Sequence, residues 1–217
     1  MTRETKRRLA LVGVAVLAGC GGSKHEAAAP TTTDATGCVT VSQPKPANRT
    51  APRPATRLDM AKHYDVTFRT NCGSFTIRLA VKTSPQTTAS FVALVRGHYF
   101  DGTIFHRIVP GFVIQGGDPT ASGLGGPGYT TVDKPPRSTR YTLGLAAMAK
   151  AANQPAGAGG SQFFVVTGRQ INLPPDYAIV GKVTLGLDVV ERIGKLGDQS
   201  EQPTEPVVIK AVDAVAR

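Results

Sequence analysis

Phe105-His106-Arg107-Ile108-Val109-Pro110-Gly111-Phe112-Val113-Ile114-Gln115-Gly116-Gly117-Asp118 is the stretch that decides how the rest of the chain is read. Two runs rich in β-branched residues, Ile104 to Val109 and Phe112 to Gln115, have the composition of strands. Pro110-Gly111 between them signals a turn, because proline presets φ and glycine accepts positive φ. A hairpin with a two-residue loop is expected. In that hairpin Arg107 and Phe112 share a face and Gln115 points to the other. A groove using all three therefore requires a bulge or added twist. Arg107 is costly to bury unless its donors have work to do.

Outward from this stretch the chain alternates short strands with loops. His63 to Thr70 and Ser74 to Leu79 read as strands joined by Asn71-Cys72-Gly73. A helix is expected from Pro85, with Ser84 as N-cap and Gly97 as its stop. Downstream, Leu143–Met148, Phe163–Thr167, Ala178–Val183 and Val207–Val215 read as strands, with a short helix starting near Leu187. Asp118–Arg140 and Ala149–Gly160 are glycine-rich loops. Gly123-Leu124-Gly125-Gly126-Pro127-Gly128 has the spacing of a dinucleotide fingerprint, but no strand leads into it and no helix follows. About eight short strands and two helices fit a closed barrel or a sandwich.

The quoted stretch resembles the signature of the cyclophilin-type peptidyl-prolyl cis-trans isomerases. Gly160-Ser161-Gln162-Phe163-Phe164 resembles that family's second signature, in the family's order. The likeness runs from about His63 to near the C-terminus. It implies a mainly β fold, a closed eight-stranded antiparallel barrel capped by two α-helices. It also implies prolyl isomerase activity, with Arg107 as the catalytic residue. Phe112, Val113, Phe164 and Leu173 would form the pocket for the proline ring. Gln115 and Gln162 would bond the substrate backbone. The strand segment Ala149-Lys150-Ala151 would pair with the extended peptide, and His106 and Tyr177 would line the groove. The chain departs from many members at Lys150 (asparagine), Asn172 (tryptophan) and Tyr177 (histidine), and its loop between Met148 and Ser161 is three residues longer than usual. A tryptophan offers an apolar face and an N–H donor that Asn172 does not, so weak cyclosporin binding is expected.

Three segments are expected. Residues 1–19 read as an export signal: Lys6-Arg7-Arg8 precede the apolar run Leu9–Ala18, too short for a membrane span of roughly 20 residues. Leu17-Ala18-Gly19-Cys20 resembles the lipobox of bacterial lipoproteins, which implies lipidation at Cys20 and an extracytoplasmic protein anchored to a bacterial cell membrane. Residues 20–61, rich in Ala, Thr and Pro with few large apolar side chains, read as a tether. Residues 62–217 are the folded domain. With Cys20 acylated, Cys38 and Cys72 are an even pair in an oxidising setting, either bridged or left as two thiols.

The net charge is +10, of which +3 falls in residues 1–19, +2 in residues 20–60 and +5 over the rest without a basic run. No basic stripe with interleaved aromatics points to nucleic acid. The four histidines, His25, His63, His98 and His106, lack metal-ligand spacing, and no Gly-x-Ser-x-Gly elbow is present. Prolyl isomerisation calls for neither metal nor cofactor. The barrier is amide resonance and no covalent bond breaks. A catalyst must favour the twisted imide over both planar forms, and a cationic donor near its nitrogen does so. The partners implied are proline-containing polypeptides in exported or unfolded chains. The competing expectation is a non-catalytic proline-peptide binding module or chaperone on the same fold.

Overall fold

Tyr64–Thr70 (β1) and Gly73–Leu79 (β2) form a hairpin whose register runs from Asp65 opposite Arg78 to Thr70 opposite Gly73. Val66, Phe68, Phe75 and Ile77 are buried while Arg69 and Arg78 are exposed, the period-two alternation of strands with one wet face. The structure, a computed structural model, describes residues 36–217. The expected signal segment and the lipidated Cys20 lie outside the described residues.

Six further strands complete the wall: Thr103–Val109 (β3), Val113–Asp118 (β4), Leu145–Met148 (β5), Phe163–Val166 (β6), Ile179–Leu185 (β7) and Val208–Ala216 (β8). They close in the order β1-β8-β3-β4-β6-β5-β7-β2, every neighbour antiparallel. This is the expected eight-stranded barrel, and closure leaves no free strand edge. Two small strand pairs organise the long loops: Thr131–Val132 with Ala158–Gly159, and Tyr141–Thr142 with Gln170–Ile171.

The helices Pro85–Arg96 (α1) and Leu187–Ile193 (α2) bury Phe91, Leu94, Val190 and Ile193 in the barrel core. Phe163 sits among the rings of Phe68, Phe91, Phe100 and Phe105, at centroid distances from 5.2 to 6.0 Å. Ser84 takes the expected N-cap position, but its hydroxyl makes no capping bond. The Thr87 N–H instead donates to the Asp133 carboxylate at 2.6 Å, a cap delivered from a distant loop. Gly97 is the C-cap with φ −86°, and the left-handed residue is His98.

The stretch expected as a spacer lies on the barrel from Cys38 onward. Cys38 and Cys72 form a disulfide at the β1–β2 turn. Val39 N–H donates to Asn71 O, Ala47 N–H to Pro119 O and Ala51 N–H to Pro127 O. Arg49 donates from Nη1 to the carbonyls of Tyr99 and Asp101, at 2.6 and 2.8 Å. Ala51 and Leu58 pack against the core cluster. The composition argument concerned whether this segment can fold by itself. Here its backbone and Arg49 find partners that the barrel and its loops already hold in place.

Candidate active site

Val109 opposes Val113, Ile108 opposes Ile114 and Arg107 opposes Gln115. The turn therefore holds three residues, Pro110-Gly111-Phe112, with Gly111 at φ 70°. A two-residue loop was expected, and the third residue changes which side chains share a face. Arg107 and Gln115 stand directly opposite each other on the outer surface, with Ile108 and Ile114 in the core. Phe112 belongs to the loop rather than to β4. Its N–H donates to Val109 O, and its carbonyl accepts from the Thr167 N–H at 2.9 Å.

A second irregularity lies one step earlier. Phe105 opposes Gly116 while Arg107 opposes Gln115, so His106 is an extra residue on β3. The bulge lets Phe105 and Ile108 both enter the core, three residues apart. His106 is buried, its ring nitrogens have no hydrogen-bond partner among the described residues, and burial pushes its pKa down. Its Nε2 stands beside Gly123, 3.9 Å from where a Cβ on that glycine would lie.

The outer face continues across the wall. Gln115 opposes Phe164, and Phe164 opposes Ala147. Phe163 enters the core and Phe164, its chain neighbour, the outer cluster with Val113, Tyr141, Val166 and Ile171. Above this face is a cleft of about 250 Å³ lined by Arg107, Phe112, Val113, Gln115, Ala149, Lys150, Phe164, Leu173 and Tyr177. A second cavity of about 520 Å³ adjoins it, sharing Gln115, Ala149 and Lys150 and adding Ala151 and Gln162. Ala149-Lys150-Ala151 lies past the end of β5 rather than in a strand. The Ala151 N–H is taken by Gln154 Oε1, at 2.8 Å, where the chain turns.

One polar chain crosses the site. Glu201 Oε2 accepts from Arg107 Nε at 2.6 Å. Arg107 Nη1 lies 3.4 Å from Gln115 Oε1, and Gln115 Nε2 donates to Gln162 Oε1 at 3.1 Å. Gln162 Nε2 then donates to the carbonyls of Gly123 and Gly125. That loop is held from beneath by Asp118, whose fully buried carboxylate accepts from the N–H groups of Thr120, Gly123 and Gly125 and from the Thr120 hydroxyl. Burial alone would push the Asp118 pKa up, but these donors outweigh it and hold it below the usual carboxylate value. Gly117 adopts φ 86°, and a Cβ there would meet Ser161 O at 2.4 Å. The two sequence signatures thus touch backbone to backbone.

The domain from Asp65 to Ala214 matches the family described as cyclophilin type peptidyl-prolyl cis-trans isomerase/CLD. The chain belongs to that family. A peptidyl-prolyl cis-trans isomerase of Arabidopsis thaliana is 37% identical over 150 residues, covering 67% of this chain and 90% of the relative. A probable peptidyl-prolyl cis-trans isomerase A of Mycobacterium bovis is 38% identical over 165 residues, covering 67% and 89%. A crystal structure of a Cryptosporidium parvum cyclophilin, determined in the presence of the dipeptide Ala-Pro, superposes with a TM-score of 0.65 at 32% identity, covering 70% of this chain and 99% of that one.

Two residues of this cyclophilin site carry no sequence signal. Tyr141 donates from its hydroxyl to Tyr177 O and accepts from Tyr177 N–H, clamping the cleft's far rim. Its burial pushes its pKa up to about 12, so it remains a donor at any ordinary pH. Glu201 lies 94 residues from Arg107 in a loop without a motif. Asn172 is exposed and lines neither cavity of the cyclophilin site.

Proposed function

We propose that the protein is a lipid-anchored, extracytoplasmic prolyl isomerase that rotates X–Pro bonds in exported or unfolded polypeptides. The observation that carries the reading is Arg107 lining the same cleft as Phe112, Val113, Phe164 and Leu173. Phe112, Val113, Phe164 and Leu173 offer a ring-sized apolar surface for proline. Arg107 is tied at Nε by Glu201 and turns Nη1 toward Gln115 in the cleft. As the imide twists, its nitrogen regains a lone pair, and the guanidinium donates to it. Little of that stabilisation exists in either planar form, so the contact lowers the barrier rather than tightening ground-state binding. Gln115 and Gln162 hold the flanking peptide.

Anchoring is supported by Lys6-Arg7-Arg8, the apolar run to Ala18 and Leu17-Ala18-Gly19-Cys20. A disulfide between Cys38 and Cys72 suits an oxidising compartment. Weak cyclosporin binding belongs to the same reading, because Asn172 places a small polar group beside Leu173. Two measurements test it. Exchange NMR on a short X–Pro peptide should show isomerisation well above the uncatalysed rate, and its absence would favour a binding module. Cys20→Ala should abolish lipid labelling of the full chain, and unchanged labelling would remove the anchor.

A further inference from the structure

The two cavities of the site hold two cations and no carboxylate in their linings, Arg107 and Lys150. The two cations differ in their partners. Arg107 is paired with Glu201. Lys150 makes no ion pair among the described residues, yet its ammonium is not loose. Nζ donates to Gln154 O at 3.2 Å and stands 5.7 Å from the centroid of the Tyr177 ring. The Gln154 side chain ties back to Ala151 N–H and so fixes the turn that carries these contacts. Lys150 borders both cavities, so a peptide that reaches from the smaller cavity into the larger passes beside it. From these contacts we infer that Lys150 is a specificity-determining residue, selecting X–Pro segments with an aspartate or glutamate one or two positions from the proline.

The physical argument is one of cost. The ammonium is already positioned, so an acidic side chain gains its attraction without first ordering a free lysine. A lysine in the same peptide position meets like charge. The Glu201–Arg107 pair leaves Lys150 as the uncompensated positive point of the site. Screening at the half-open surface keeps the effect modest, about two- to fivefold for each sign of charge.

This inference rests on the isomerase reading, and the test separates the two. Three peptides differing only beside Ala-Pro, with Glu, Gln or Lys, are followed by exchange NMR with the full chain. The expected order of kcat/KM is Glu, then Gln, then Lys, with the spread narrowing in high salt. Lys150→Gln should collapse the Glu-to-Lys ratio toward one, and Lys150→Glu should invert it. Lys210→Gln, at an exposed position of β8, should leave the ratio as it is, which separates a local contact from the field of a basic protein. Equal rates for the three peptides, or a ratio that Lys210→Gln and Lys150→Gln lower alike, would overturn the inference while leaving the isomerase standing. Absence of exchange with the Gln peptide as well would instead overturn the function on which it rests.

Discussion

Glu201 holds Arg107 by two routes: its carboxylate accepts from Arg107 Nε at 2.6 Å, and its backbone carbonyl accepts from the N–H of Ile108, the next residue on β3. Glu201 itself sits in the left-handed region at φ 62°, which costs a non-glycine residue about 1–2 kcal/mol. The loop is wound tightly there, with Asp198 Oδ1 accepting from the N–H groups of Ser200 and Gln202. A strained residue locked beside the arginine of the cleft orients that arginine. Glu201→Ala should lower kcat about two- to fivefold, the range of a half-exposed ion pair, with KM nearly unchanged. Glu201→Gln keeps an acceptor for Nε–H and should recover part of the loss. Glu201→Gly relieves the backbone and should be at least as stable as the parent while remaining slower. Full activity in the alanine and glycine variants would show that the pair is incidental.

The Cys38–Cys72 disulfide closes a loop with a sequence separation of 34 residues. Loop-closure entropy for this length is worth about 3–4 kcal/mol as an upper figure. The same segment supplies Arg49 to two carbonyls next to β3, bonds worth about 1.5–3 kcal/mol when the donor is charged. Reduction, or Cys38→Ser with Cys72→Ser, should lower the thermal midpoint by several degrees. Arg49→Ala should lower it further in the oxidised protein than in the reduced one, because release of Cys38 already loosens the strap. Equal losses in both states would mean that Arg49 holds without help from the disulfide.

The strands were legible from alternation and turn residues, which suit a barrel or a sandwich alike, and the two family-like signatures decided for the barrel. The site was legible in part. Arg107, Phe112, Gln115 and Phe164 meet in one cleft, but their meeting depends on a three-residue turn and on a bulge at His106. Neither has a composition signal, since Pro110-Gly111 suits a two-residue loop as well as a longer one. Glu201 and Tyr141 were invisible because a long-range partner leaves no local periodicity. The strap's contacts are not legible for a different reason: proline and threonine content describes what a segment can do alone, while Arg49 and its neighbours draw on carbonyls of the folded domain.

Acid should destabilise the domain in two stages. His106 has a folded pKa lowered by burial from 6.5, with Asp118 opposing that shift and Arg107 adding to it. Its neutral form is the folded one, so stability is intact above the unfolded value and falls as pH drops below about 6.5. Asp118 has a folded pKa below 3.8, so its share is lost only as pH falls under that value and through the folded pKa. His106→Phe should flatten the first stage and leave the second. Asp118→Asn should be less stable at neutral pH, with the Gly123 and Gly125 N–H groups poorly satisfied, and should shrink the second stage, leaving the part that Asp65, held low by its bonds to Arg78, contributes. Denaturant midpoints across pH check both. An unchanged first stage in His106→Phe would place that titration elsewhere.

Arg107 allows charge and shape to be separated. In the proposed mechanism Arg107→Ala removes the donor from the twisted imide nitrogen, and loss of one preorganised contact of this kind costs about 10²–10³ in rate. Arg107→Lys restores charge but not the planar fork, and its ammonium is more strongly hydrated. Lysine also cannot satisfy Glu201 through Nε and face Gln115 with a second edge, as arginine does here. It should therefore recover only part of the activity. Peptide affinity should change far less than turnover in both variants, because the planar ground state gains little from the contact. Phe112→Ala should behave differently. Phe112 lines the cleft and its backbone is fixed by Thr167, so truncation opens the pocket without unfolding the turn. Binding and turnover should fall together. Exchange NMR in a peptide titration yields both quantities from one series. Turnover of Arg107→Ala at the parent's rate would remove Arg107 from the chemistry and leave the cleft as a binding site alone.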